Sequence, residues 1–210
     1  MDGQLPTLDP GVTYLDDDGA PAALYRVVGR ALTDATEAYW LDARNAAVPT
    51  AIREHAPRRA IRALRVARAF TGYQHYELAR SLPGEVSQRT ELVVAPNVGS
   101  LYADDDLPEH EAETMVAATL ELLAELAGAL DIPVVLTATE YRDRVRSVAD
   151  RTVAAERTRA GLRFDGESVR TDVYWHEWGF QTTIPYWVDL LGAEEVAPEW
   201  VESDAVAPGV

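Results

Sequence analysis

Residues 10–32 read PGVTYLDDDGAPAALYRVVGRAL. A short apolar run, Val12 to Leu15, meets an acidic turn, Asp16-Asp17-Asp18-Gly19. An amphipathic stretch follows and predicts a helix over residues 20–34. The same strand–turn–helix unit repeats outward. Further short runs rich in Val, Leu and Ile lie at Ala38–Asp42, Leu64–Ala67, Leu92–Ala95 and Ile132–Thr137. They are apolar on both faces, as strands of a parallel sheet covered by helices are. Helices are expected between them near 47–56, 73–82 and 109–130. The last is the clearest, with Met115, Leu122, Leu126 and Leu130 at helical spacing and Pro108 before an acid-rich first turn. Alternation of strands and helices predicts an α/β fold, with a doubly wound, mostly parallel sheet flanked by helices. The pattern changes after residue 150. Ser168–Trp175 reads as a strand, bracketed by the turn signals Asp165-Gly166 and Trp178-Gly179. Phe180–Ile184 reads as its hairpin partner, and Pro185–Leu191 as a short helix.

At 210 residues and 23.1 kDa the chain has the size of one domain. The expected division is a core over 1–192 and an acidic, disordered tail over 193–210. With no cysteine, disulfides, thiolate metal sites and cysteine nucleophiles are excluded. No apolar run approaches the ~20 residues of a membrane span, and the N-terminus lacks a secretory pattern, so a cytoplasmic protein is expected. Asp and Glu number 35 against 19 basic residues, for a net charge of -16, and every basic residue is Arg. The absence of Lys excludes Schiff-base and phosphate-binding lysines. Acid excess with Lys depletion suits a salt-rich cytoplasm and points to a halophilic archaeal source.

Five segments, in order, resemble the ATPase core of RecA-type recombinases, especially archaeal RadA and RadB. Residues 10–32 stand where that family has its first strand, phosphate loop and helix. AYWLDARN (38–45) resembles its second strand with an acidic end. LRVARAFTGYQHYELARSLP (64–83) is similar to its "ARAF…HQ…L" strand and helix. ELVVAPNVGSLY (91–102) stands at the Walker B strand, and DIPVVLTAT (131–139) at the next. The resemblance implies a RecA-like core and a setting in DNA recombination or repair. It also exposes what is missing. A phosphate loop reads GxxxxGK[ST], its Lys offsetting phosphate charge and its hydroxyl holding magnesium. Here the aligned loop is Asp16-Asp17-Asp18-Gly19-Ala20-Pro21-Ala22-Ala23. Like charges ~4 Å apart repel by about 4 kcal/mol at an effective dielectric near 20. The Walker B Asp aligns with Ala95 or Pro96, the water-activating Glu beyond Asp42 with Arg44, and the nucleotide-sensing Gln with Thr139. The degenerate nucleotide site is therefore Asp16, Asp17, Asp18, Gly19, Asp42, Arg44, Ala95 and Pro96. The resemblance then implies a catalytically inactive paralogue with no catalytic residue, cofactor or metal, which acts through a protein partner, either a recombinase or a second copy; a nucleotide-dependent enzyme with an unrecognised site is an alternative.

Two other constellations bear on partners. Arg142, Arg144, Arg146, Arg151, Arg157 and Arg159 fall within 18 residues, where the resembling family has a DNA-contacting loop. They make DNA an alternative partner, with Arg142, Arg144, Arg146 and Arg151 as candidate contacts. Glu140, Asp143, Asp150 and Glu156 are interleaved, which equally describes a salt-bridged helix surface. Tyr174, Trp175, Trp178 and Phe180 crowd the expected hairpin and are candidates for a protein interface. His75 is expected to be a structural residue at a helix start. His110, Glu111 and Glu113 read as a solvated first helical turn rather than metal ligands. His176-Glu177 reads as a surface pair.

Overall fold

The computed structural model describes residues 5–18, 20–159, 161–166, 169–170, 173–176 and 179–182, the last three stretches by their backbone. The strands are β1 (Gly11–Asp16), β2 (Glu37–Asp42), β3 (Leu64–Arg68), β4 (Thr90–Ala95), β5 (Pro133–Leu136), β6 (Arg151–Thr158), β7 (Gly161–Gly166) and β8 (Val169–Arg170). The helices are α1 (Ala22–Ala31), α2 (Pro49–His55), α3 (Arg58–Ala63), α4 (Gly72–Glu85), α5 (Glu109–Leu130) and α6 (Arg142–Val148). The strands form one sheet in the order β3-β2-β4-β5-β1-β6-β7-β8. Pairing is parallel from β3 through β6, while β7 and β8 add antiparallel at one edge. Two further strands, β9 (Val173–His176) and β10 (Gly179–Thr182), pair antiparallel with each other.

The two-residue period of the strands sorts the core into two layers. Tyr14, Tyr39, Leu41, Val93, Val134 and Leu136 point to one face and pack with α4 and α5. Leu15, Ala38, Trp40, Leu92, Val94 and Val135 point to the other and pack with α1, α2 and α3. Helices thus cover both faces, which explains why the central strands are apolar throughout. Burying Trp40, fully enclosed, contributes roughly 2–3 kcal/mol.

Helix ends follow local chemistry. The Thr71 hydroxyl caps α4 by accepting from the Gln74 N–H at 3.2 Å, and the Gln74 side chain accepts from the Phe70 N–H at 2.9 Å. α5 occupies the expected 109–130 and stops at Asp131, whose left-handed backbone (φ 55°) turns the chain into β5. Glu109 and Glu111 sit at its positive end.

Several expectations are corrected. The helix expected over 47–56 is followed by a second, α3, because Pro57 holds Ala56 extended (φ -131°) and breaks the run. α4 continues past 82 to Glu85, with Pro83 inside it. β3 is not apolar on both faces: it is an edge strand, and Val66 is 45% exposed. The segment after β5 is neither one loop nor one helix. It forms α6, then β6, then β7, and β7 runs through Asp165-Gly166, where a turn was expected. Within the strand expected over Ser168–Trp175, the described residues belong to two strands, Val169–Arg170 in β8 and part of β9 (Val173–His176). The expected helix at Pro185–Leu191 and the tail at 193–210 lie outside the described residues.

Candidate functional site

Open α/β sheets bind ligands at the carboxyl ends of their strands, where neighbouring strands send their connections in opposite directions. Here β1 and β5 are such neighbours, since β1 leads towards β2 and β5 leads towards β6. Asp16 ends β1 and is followed by Asp17 and Asp18, and residues 137–142 follow β5 at the same end of the sheet. The segment that resembles a phosphate loop begins at this same end of β1.

That end is occupied by the protein's own charges. Asp16 pairs with Arg142, and with Arg146 at 3.2 Å. Arg142 also reaches Asp18 at 3.6 Å. The Arg146 guanidinium lies 5.7 Å from the centre of the buried Tyr14 ring. Burial raises the pKa of Tyr14, and burial likewise raises that of Asp17. Both guanidiniums are matched to the Asp16 carboxylate.

A second tie crosses the ends of β2, β3 and β4. Asp42, with no exposed surface, accepts from Arg68 Nε at 2.7 Å and from the Ala47 N–H at 3.0 Å. Asp42 and Arg68 stand opposite each other in the parallel β2–β3 register, which aligns their side chains at the strand ends. Arg68 also donates to the Ala47 carbonyl at 3.2 Å. Arg44, in a left-handed conformation (φ 59°), donates to the Ser100 carbonyl at 2.9 Å and pairs with Asp104. Ala95 and Pro96 are buried and offer no metal ligand. Asp16, Asp17, Asp18, Asp42, Arg44, Ala95 and Pro96 thus lie along one edge, whereas Gly19 is outside the described residues. Among the described residues, no group of three or more His, Asp or Glu is placed to hold a metal ion.

The Arg-rich segment does not make one open stripe. Arg142 and Arg146 hold Asp16, Arg144 pairs with Glu113 at 3.5 Å, and Arg151 donates to the carbonyls of Asp9 and Pro10 at 3.1 and 2.8 Å. Tyr174 and Trp175 lie in β9, and Phe180 lies in β10 opposite Trp175. Their side chains, and the whole of Trp178 and Glu177, lie outside the described residues. His75 is enclosed in the core: its Nδ1 is 2.8 Å from the Tyr102 hydroxyl, which is 2.9 Å from the Thr119 hydroxyl. Burial pushes the His75 pKa down to about 4 and raises that of Tyr102. Glu111 accepts from the exposed Tyr73 hydroxyl at 2.7 Å, and Glu113 is used by Arg144, so both serve surface contacts.

The partners Arg68, Asp104 and Arg146 complete the ties. For Arg68 a signal was present: an Arg ending one strand, beside an Asp ending its parallel neighbour. No helix among the described residues is long and apolar enough to cross a membrane. Comparison with protein-family models and with curated protein sequences finds no match to this chain.

Proposed function

We propose that the chain is a RecA-type scaffold that neither binds nor hydrolyses ATP, and that it acts through protein contacts in recombination or repair. One observation carries this reading: the Asp16 carboxylate, at the end of β1 where the resemblance would put the nucleotide phosphate, is closed by Arg142 and Arg146. A triphosphate entering there must displace a carboxylate from two guanidiniums while facing Asp17 and Asp18, with no Lys in the chain to compensate. The fold assignment is supported by the five quoted segments. Each supplies one of β1 to β5, in order, and these are consecutive parallel strands of one sheet. The setting in recombination or repair rests on the resemblance alone.

The mode of action is docking without a chemical step, through the aromatic segment Tyr174–Phe180 as read from its composition. A recombinase or a second copy is the partner that the resemblance implies. DNA contact by the Arg-rich segment is less well supported, because Arg142, Arg144, Arg146 and Arg151 are already engaged within the chain.

Calorimetry with ATP and magnesium at molar KCl tests the reading. No heat of binding is expected. A micromolar dissociation constant, with turnover abolished by Asp42→Asn, would overturn it.

A further inference from the structure

Beside the N-terminus of α1, on the α1–α2 face, a cleft of about 340 Å³ opens. Its charged or chargeable lining consists of Arg26, His55 and Arg157, and its apolar lining includes Ala20, Pro21 and Leu162. We propose that this cleft binds a small organic anion of the phosphomonoester class. The volume falls within the range of small-ligand sites.

Three elements bring the cations together. Ala22, Arg26 and Gly29 share one side of α1, at helical spacing. Gly29 lets α2 approach: a side-chain carbon there would lie 2.8 Å from the His55 carbonyl oxygen. His55, the last residue of α2, is thereby held against α1 next to the turn that carries Arg26. Arg157 arrives from β6, far along the chain. Among the described residues, no carboxylate lines this cleft.

The cations are also unspent. Arg44, Arg68, Arg142, Arg144 and Arg146 each hold a carboxylate. Arg26 and Arg157 have no hydrogen-bond or ion-pair partner among the described residues. α1 has no acidic residue in its first turn and no side-chain cap. Two guanidinium forks can each hold a tetrahedral dianion by paired N–H donors, with the imidazole as a third contact. Pro21 and Leu162 offer apolar surface to an organic body.

The cleft shares Ala20–Ala22 with the segment aligned to the phosphate loop, but none of Asp16, Asp17, Asp18, Arg142 or Arg146 lines it. The inference therefore stands apart from the proposed function. ATP turnover would count against that function and leave this cleft untouched, whereas a heat of ATP binding that Arg157→Gln abolishes would belong to the cleft.

Phenyl phosphate is the probe, titrated by calorimetry into the full chain at fixed ionic strength, with inorganic phosphate and phenol alongside. Saturable binding of phenyl phosphate is expected, tighter than that of either control. Affinity should drop about tenfold in Arg26→Gln and in Arg157→Gln, the loss of one charge-assisted pair of hydrogen bonds. Arg80→Gln, on the opposite helical layer, should leave it unchanged. Arg157 is exposed, so its variant retains the test even where Arg26→Gln does not fold. The proposal is overturned if the wild-type chain shows no saturable binding. It is equally overturned if phenyl phosphate binds no better than inorganic phosphate, or if Arg157→Gln binds as well as wild type.

Discussion

Lowering the pH should strip stability from this protein through one side chain. His75 has no exposed surface, and its ring lies edge-on to Tyr102 with centroids 5.4 Å apart. Nδ1 is bonded to the Tyr102 hydroxyl, while Nε2 has no partner. Protonation would create a buried cation with one unbonded N–H, so burial depresses the pKa from 6.5 to about 4. The sign follows from linkage. Between these values the unfolded chain binds a proton that the folded chain does not. The stabilisation is therefore complete above about pH 6.5 and is lost as pH falls to about 4. A gap of about 2.5 units at 1.36 kcal/mol each amounts to roughly 3 kcal/mol. The assay is urea unfolding at fixed KCl from pH 7 to pH 4, for wild type and for His75→Gln. Gln cannot titrate but can still reach the Tyr102 hydroxyl. Carboxylates contribute to both curves, so the difference in slope isolates His75. Wild type should lose roughly 3 kcal/mol more than the variant across this range. Parallel curves would refute the reasoning, as would an NMR titration placing the His75 midpoint near 6.5.

Gly29→Ala sets helix propensity against packing. The substitution should gain about 1 kcal/mol of propensity, but the new carbon would sit 2.5 Å from the His55 Cβ and 2.8 Å from its carbonyl. A net loss of about 1–2 kcal/mol is expected in thermal unfolding, and a raised midpoint would mean that α1 and α2 can part freely. Asp42→Asn should cost about 2 kcal/mol, because it leaves Arg68 and the Ala47 N–H competing for one acceptor in a buried place. Asp104→Asn should cost under about 0.5 kcal/mol, since both partners of that pair are exposed. Equal costs for the two would discard burial as the deciding factor. With a net charge of -16, the unfolding midpoint should fall as KCl is lowered from molar to about 0.1 M. A flat midpoint would remove the link between acidity and salt.

The strands that the sequence reveals are those buried on both faces. Leu92 to Ala95 is apolar at every position because helices cover it above and below, so no periodicity was needed to find it. α5 was legible in full because its apolar stripe lies between an acidic start and Asp131. β6 was not. Its residues RTVAAERT bury only Val153 and Ala155, and its charges alternate in a way that also fits a solvated helix. The α2–α3 break was written in Ala56-Pro57, where the residue before proline is disfavoured in a helix. At the candidate site the residues were legible but their pairing was not. Asp16 and Arg142 are 126 residues apart, and nothing local in either segment announces the other. The Arg-rich run therefore looked available for DNA when most of it was committed to the fold.

The sheet order carries a consequence for how the chain comes off the ribosome. β1 precedes every other strand of the sheet in chain order, yet it sits in the interior, between β5 and β6. Val12 pairs with Val134 and Tyr14 with Thr152, and the Val12 N–H is held by the Asp150 carboxylate at 2.7 Å. Until those late residues emerge, β1 can find no native neighbour, and the partial sheet β3-β2-β4 must wait with one side open. Closing such long loops is slow, and the waiting edge is one to which a foreign strand can add. Nascent chains halted before residue 133 should therefore be protease-sensitive at residues 11–16, and chains released beyond residue 158 should not. The interior slot held for β1 makes the emergence of β5 and β6, rather than of β1 itself, the moment at which this domain commits to its structure.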